Sequence, residues 1–427
     1  MNKKLIVLLL LISAFLLPAL SVAQSVEKKE LLSLRQCVDI ALKNHPSVNA
    51  AGGAIRQSES RIGQARAGYY PRIELQSSYS RIGPADTSLR SDPYNHYANT
   101  LSLNQTIFDF GKTWTSVDIA TLNKQSSDAD FQDVTSGVIL RVKETYYALL
   151  KARMSEKVAV ETVNQFQQHY DVAKTFFETG KSSKIDVTSA EVNLSNARIQ
   201  LISAQNALRV ARVTLNQAMG LTTAAEYDIV EEFHLEEIQL PFESAIAQAY
   251  LNRPDVVSAA LKREALEKTV DLNKKGYFPV VSGNAAYGYS GEELSSDNKS
   301  WNVGVALTFP LFTGFSTKYA VDEAKANLDI ARAGEETLKQ KIYLEVQSAW
   351  LIRRAAFEQI KAGRLIVRQA EETLELARGR YATGVGSSIE ITDAMIKLNN
   401  AKMTYITALS DFSVAQASLE KAVGAKK

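Results

Sequence analysis

The chain has 427 residues with 49 basic and 47 acidic side chains, a net charge of +2 and a single cysteine. The balanced charge excludes the basic footprint of a nucleic-acid binder, and the lone Cys37 excludes a fold stapled by intramolecular disulfides. Leu34-Arg35-Gln36 before it are not the small residues that precede a lipid-anchored cysteine.

At the N-terminus, Lys3 and Lys4 precede an apolar run from Leu5 to Leu17, and Ser21-Val22-Ala23 supply small residues before Gln24. Residues 1–23 therefore read as a secretory signal peptide. No later stretch reaches the roughly 18 consecutive apolar residues of a spanning helix. The mature chain is expected to be exported without a transmembrane helix, with 47 basic residues against 47 acidic ones once Lys3 and Lys4 are removed.

The rest is written twice. "NHP" at 44–46 returns as "NRP" at 252–254, and "GYYP" at 68–71 as "GYFP" at 276–279, both 208 positions on. "FETGKSSKIDV" at 177–187 returns as "YATGVGSSIEI" at 381–391, and "NQAMG" at 216–220 as "EKAVG" at 420–424, both 204 positions on. Anchors that keep their order mark a duplication. Repeat 1 spans 24–221 and repeat 2 spans 242–427, joined by an acidic connector, 222–241. Each repeat predicts a helix, a β-hairpin and a long helical hairpin.

The β-hairpins show period two. "TLSLNQTIF" alternates Leu101, Leu103 and Ile107 with polar residues, and "WNVGVALTF" alternates Trp301, Val303, Val305, Leu307 and Phe309 with small or polar ones. Segments starting at Arg72 and Val280 are similar but weaker. About 9–11 residues is the length of a tilted membrane-spanning strand. The connections 81–98 and 290–300 are polar, and Tyr69, Tyr70, Tyr277, Phe278, Trp301 and Phe309 near the strand ends suit an interfacial girdle. A soluble sheet buried on the protein's own helices has the same period; export, and helices that already bury their own seam, favour the membrane. Four strands leave open edges that lipid does not tolerate, so a membrane sheet requires several copies to share one barrel.

The stretches 94–240 and 311–427 contain no proline, which leaves room for long helices. In repeat 1 a 3, 4 spacing links Val187, Ala190, Leu194 and Ala197 onward to Ala218; in repeat 2 it links Ile391, Ala394, Leu398 and Ala401 onward to Ala422. This is a heptad seam alternating large and small residues. Upstream segments of about 65 residues predict partner helices of about 100 Å. The repeated phrase is then the hairpin tip. Thr179-Gly180 and Thr383-Gly384 stop the incoming helix, Ser182-Ser183 and Ser387-Ser388 are available to cap the outgoing one, and Asp186 and Glu390 fall where the helix dipole favours a carboxylate.

The order of "GYYP", hairpin, "QTIFDFG", "TGKSSKIDV" and "MG", then "GYFP", "FPLFTG", "TGVGSSIEITDA" and "AVG", resembles the TolC-type outer-membrane factors of tripartite efflux and type I secretion systems. The resemblance implies a mainly α fold with a β-barrel portion: a homotrimer with four transmembrane strands per protomer, a twelve-stranded barrel in outer-membrane lipid and a twelve-helix tunnel through the periplasm of a Gram-negative cell. It implies a passive exit duct, not an enzyme, without cofactor or metal, that meets a periplasmic adaptor and an inner-membrane transporter at its helical tips. Glu390 and Asp393 fall on the acidic positions of the pore constriction, and Asp186 and Tyr381 on partners of the gate latch. Gly386 stands where that latch can carry an arginine, so the lock here differs. Thr179, Gly180, Lys181, Ser182 and Ser183, with Gly384, Val385, Gly386, Ser387 and Ser388, are the adaptor contacts. For Asp186 and Glu390, dipole stabilisation alone is the plainer role.

An exported coiled-coil attachment protein would share the seams and tips but not the alternating strands. There is no HExxH, GxSxG or Walker A motif, and His45, His96, His169 and His234 lack ligand spacing. His45, beside Pro46, reads as a helix-end residue.

Overall fold

A computed structural model describes residues 31–83, 92–222, 227–233, 235, 240–293 and 298–425; the signal peptide and parts of the polar connections lie outside the described residues. The two copies run through the same series. β1 (Leu31–Leu32) leads into α1 (Leu34–Asn44), α2 (Pro46–Arg66), β2 (Arg72–Ile82), β3 (Tyr94–Phe108), α3 (Lys112–Glu178) and α4 (Lys184–Ala218). After β4 (Asp228–Ile229) follow α5 (Phe242–Asn252), α6 (Pro254–Lys274), β5 (Val280–Gly291), β6 (Lys299–Thr308), α7 (Ser316–Ala382) and α8 (Ser388–Ala422). Corresponding helices are equal in length, with 11, 21, 67 and 35 residues in each copy.

Local chemistry sets the helix ends. Ser33 and Gln36 form a capping box on α1. His45 ends α1 and caps α2, its Nδ1 accepting from the Ser47 amide at 3.2 Å, while Pro46 takes the first helical position. The 67-residue α3 and α7 each extend about 100 Å. Pairing runs α4–α3–α8–α7, so α4 and α7 form the two flanks. On α8 the heptad seam from Ile391 to Ala422 is buried at every position except Tyr405, whereas on α4 only Ala190, Leu194, Ala197, Leu215 and Ala218 are fully buried. The difference follows from position: α8 lies between two neighbours and α4 has one.

The sheet order is β2-β3-β5-β6, antiparallel throughout. Its register stacks Ile73, Leu103, Ala285 and Val303 in one row and Leu75, Leu101, Tyr287 and Trp301 in the next. The opposite face carries Glu74, Ser102, Ala286 and Asn302, then Gln76, Thr100, Gly288 and Ser300. No helix among the described residues covers the apolar face, where Trp301 is 76% exposed. The soluble buried-sheet alternative is therefore ruled out. No helix among the described residues is long and apolar enough to cross a membrane.

Two strands exceed the expected length: β5 has 12 residues and ends at Gly291, inside the segment 290–300 expected to be a loop, and β3 departs further. β3 has 15 residues and begins at Tyr94, inside the segment 81–98 expected to be a loop. Pairing with β2 continues to Ile82 opposite Tyr94, and the Tyr79 and Tyr97 rings lie 5.0 Å apart. Backbone ladders need no apolar side chains, so the hairpin outruns its hydrophobic pattern.

Candidate functional site at the hairpin tips

Both tips close in one way. Gly180 and Gly384 take φ of +73° and +75°. The next amide reaches back over the turn, Lys181 N to Phe176 O at 2.7 Å and Val385 N to Arg380 O at 3.0 Å. Left-handed backbone without a Cβ penalty explains the glycine at each tip. Thr179, Gly180, Lys181 and Ser183, with Gly384, Val385 and Ser387, are exposed; Ser182 and Gly386 are half-buried and Ser388 is buried.

Beyond the turns the copies diverge. Ser183 caps α4 and shares a capping box with Asp186, whose Oδ2 accepts from Ser183 Oγ at 2.7 Å and Ser182 Oγ at 2.8 Å. These hydrogen bonds, Ser183's first, hold the Asp186 carboxyl below its ordinary range. On α8, Ser387 alone is the cap, accepting from the Glu390 amide at 3.3 Å. Ser388, expected as an alternative cap, instead occupies the first position of α8 and bonds His169 Nε2 at 3.1 Å across the gap between the two hairpins. The Glu390 carboxylate accepts from Arg380 Nε at 3.2 Å on the preceding helix. Asp393, one turn on, is exposed, and its side chain makes no ion pair or hydrogen bond among the described residues. Three or more grouped His, Cys, Asp or Glu side chains able to hold a metal do not occur among the described residues.

Asp186 and Tyr381, from different repeats, lie at the same tip but are not hydrogen-bonded to each other. The Tyr381 ring packs 5.4 Å from Phe176 and 5.9 Å from His169, centroid to centroid. Its hydroxyl is buried and makes no hydrogen bond; burial, then the Asp186 charge, raises its pKa. Gly386 is explained by space. A Cβ there would lie 2.9 Å from Arg380 Cβ and 3.0 Å from the Tyr381 amide nitrogen, so a side chain, arginine included, would push the turn off the end of α7. The cation at this tip is Arg380, six residues earlier.

His169 and Arg380 were not legible as tip residues. Neither belongs to the repeated phrase, and His169 lies eight residues before it, in a helix interior. The imidazole is buried between α3 and α8, facing Ser388 and the N-terminus of α8, Tyr381 and Arg378 of α7, and Asp186 of α4. Burial first, then Arg378, lowers its pKa below 6.5, against an opposing effect of Asp186. As pH falls below about 6.5 the unfolded chain takes up this proton before the folded one. Packing at the tip is thus fully stabilised above that pH and loses stability as pH drops through the lowered folded value. Lowering pH from 7.5 to 5 will depress the melting temperature of the wild type more than that of His169→Gln; parallel curves would remove His169 from this role.

The sequence model of the outer membrane efflux protein family matches residues 37–221 and 245–425. The chain belongs to that family. Among relatives, the probable efflux pump outer membrane protein TtgC of Pseudomonas putida is 24% identical over 405 residues, covering 92% of this chain and 83% of that protein. The outer membrane protein TolC of Vibrio cholerae is 22% identical over 411 residues, covering 92% and 90%. Among solved structures, the CmeC outer membrane channel of Campylobacter jejuni superposes with a TM-score of 0.82 at 20% identity, over 95% of this chain and 90% of that one. This outer membrane efflux protein thus has the fold of outer-membrane channels, and the outer membrane is its location.

Proposed function

We propose that three copies of this efflux protein form a passive exit duct, each giving four strands to one barrel and four long helices to one tunnel, with two repeats, 24–221 and 242–427, joined by the connector 222–241. The carrying observation is the sheet: an uncovered apolar face, a polar opposite face, and unpaired edges on β2 and β6. Lipid accepts such a sheet only when its edges are closed, which this chain cannot do alone. Exposed apolar residues at heptad spacing on the flanks, Ile185, Val192 and Ile199 on α4 and Leu344 and Leu351 on α7, support the same assembly. The exposed tip residues 179–183 and 384–388 dock a periplasmic adaptor, and an inner-membrane transporter supplies energy and selects cargo in a tripartite efflux or type I secretion system. Asp186 and Tyr381 latch the two hairpins together at the tip. Glu390 and Asp393 ring the constriction, Arg380 partly neutralising the first.

Detergent extracts of the outer-membrane fraction will contain a species with the mass of three chains that conducts ions in planar bilayers. A water-soluble periplasmic species would overturn the duct. In the same recordings Glu390→Gln with Asp393→Asn lowers cation selectivity and Arg380→Ala raises it; unchanged selectivity in both would remove the ring.

A further inference from the structure

Polar contacts between α3 of repeat 1 and α8 of repeat 2 form a ladder along their seam. Lys143 pairs with Glu420, Ser410 Oγ donates to Tyr147 O at 3.4 Å, Lys402 Nζ to Glu161 Oε1 at 2.7 Å and Thr162 Oγ1 to Asn399 Oδ1 at 3.3 Å. His169 Nε2 with Ser388 Oγ, at 3.1 Å, is the rung nearest the turns among the described residues. It lies seven residues, about 10 Å of helix, beyond Thr162. Both partners are buried, His169 at 6% and Ser388 at 8% exposed. Closing a turn does not require this bond. The counterparts 204 positions away are Thr373 and Lys184, both exposed, yet Gly180 and Gly384 close their turns with the same left-handed backbone. The bond therefore serves the seam between the hairpins and not the turn.

The site suits a neutral ring and resists a cation. Ser388 is the first residue of α8, so the imidazole faces the positive end of that helix. Arg378 of α7 adds a like charge, the Tyr381 ring of α7 lies edge-on 5.9 Å away, and Asp186 of α4 is the opposing charge. On α3 itself, Asp171 and Lys174 are exposed to water. The Ser388 hydroxyl can donate to a neutral ring or accept from a charged one, so a proton does not by itself abolish the bond. It places a cation where burial, a helix N-terminus and an arginine all oppose it. We propose that His169 and Ser388 form a proton-released latch: a neutral imidazole holds α3 against α8 at the tip, and protonation parts the two hairpins so that the ring reaches water. Burial and Arg378 outweigh Asp186 in lowering the imidazole pKa, so the parted tip binds the proton more tightly and acid favours it. Its consequence for transport rests on the duct reading: the entrance between the hairpins opens in acid and closes near neutrality.

Ala173 lies one turn beyond His169 on the same face of α3 and is fully buried, as is the native Cys37. Reaction of Ala173→Cys with a water-soluble maleimide therefore reports parting of the seam. In the full-length protein extracted in detergent, its labelling rate is compared at pH 7.5 and pH 5 with that of Ala173→Cys in a His169→Gln background. The ratio of the two rates cancels the thiol's own pH dependence. Acidification will raise that ratio by at least about threefold, the effect of half a pKa unit. Arg378→Gln, at an exposed position, keeps the imidazole and removes the like charge, and will shrink the rise. The same pH profile with and without the imidazole overturns the latch, and so does a rise that Arg378→Gln leaves undiminished; the second comparison decides alone if His169→Gln does not fold. Planar-bilayer recordings keep the two readings apart. Protein that conducts ions but shows no imidazole-dependent labelling loses the latch and keeps the duct, whereas protein that conducts at neither pH loses the duct while labelling still decides the latch.

Discussion

Val305→Lys eliminates the protein from the outer-membrane fraction, while Asn302→Lys leaves its yield close to wild type. The two residues lie three apart on β6 and point to opposite faces. Val305 continues the exposed apolar set of Trp301, Val303 and Leu307; Asn302 shares its row with Ser102 and Ala286. A lysine facing the bilayer midplane costs about 2–4 kcal/mol, and the proposed trimer would bear that cost in every subunit. A lysine on the polar face projects toward water. Folded protein recovered from fractionated envelopes is the measurement. Equal yields of the two variants would mean that the apolar face is not in lipid, and the exported attachment protein would regain its standing.

The second large effect concerns the glycine that closes each repeat. Gly220 takes φ of +74° after α4, and a Cβ there would lie 2.9 Å from backbone atoms of Asn44 and His45, at the junction of α1 and α2. Gly424 repeats this against Asn252 and Arg253 after α8. Gly180 has the same conformation, φ +73°, with nothing within 4 Å of its added Cβ. Alanine at Gly180 therefore meets only the left-handed backbone penalty, about 1–2 kcal/mol. Alanine at Gly220 meets that penalty and must also displace main chain that has no rotamer to yield, which adds roughly 1–3 kcal/mol. Unfolding monitored in detergent will show Gly220→Ala and Gly424→Ala well below Gly180→Ala. Equal losses would mean that the short helices do not dock on the glycines as tightly as the distances require. The clash also gives a physical reason for two anchors of the duplication, "NHP" with "MG" and "NRP" with "VG": within each repeat the first is the surface on which the second rests.

Duplication, helix and strand periods, the hairpin tips and their caps were all legible from the chain, because each depends on residues within a few turns of one another. A 3, 4 spacing commits a segment to a seam, and Thr-Gly followed by Ser and an acid three residues on commits it to a turn and a cap. What lies opposite such a face depends on residues hundreds of positions away, and tertiary structure decided it. The seam on α8 is buried along nearly its whole length and that on α4 only in part, although the two sequences carry the same pattern. Similarly, Ser388 as a partner of His169 instead of a cap arises where two hairpins from different repeats press together, a contact that no local spacing encodes, while Arg380 on Glu390 and the room denied to any side chain at Gly386 arise from how the second turn folds back on the end of α7.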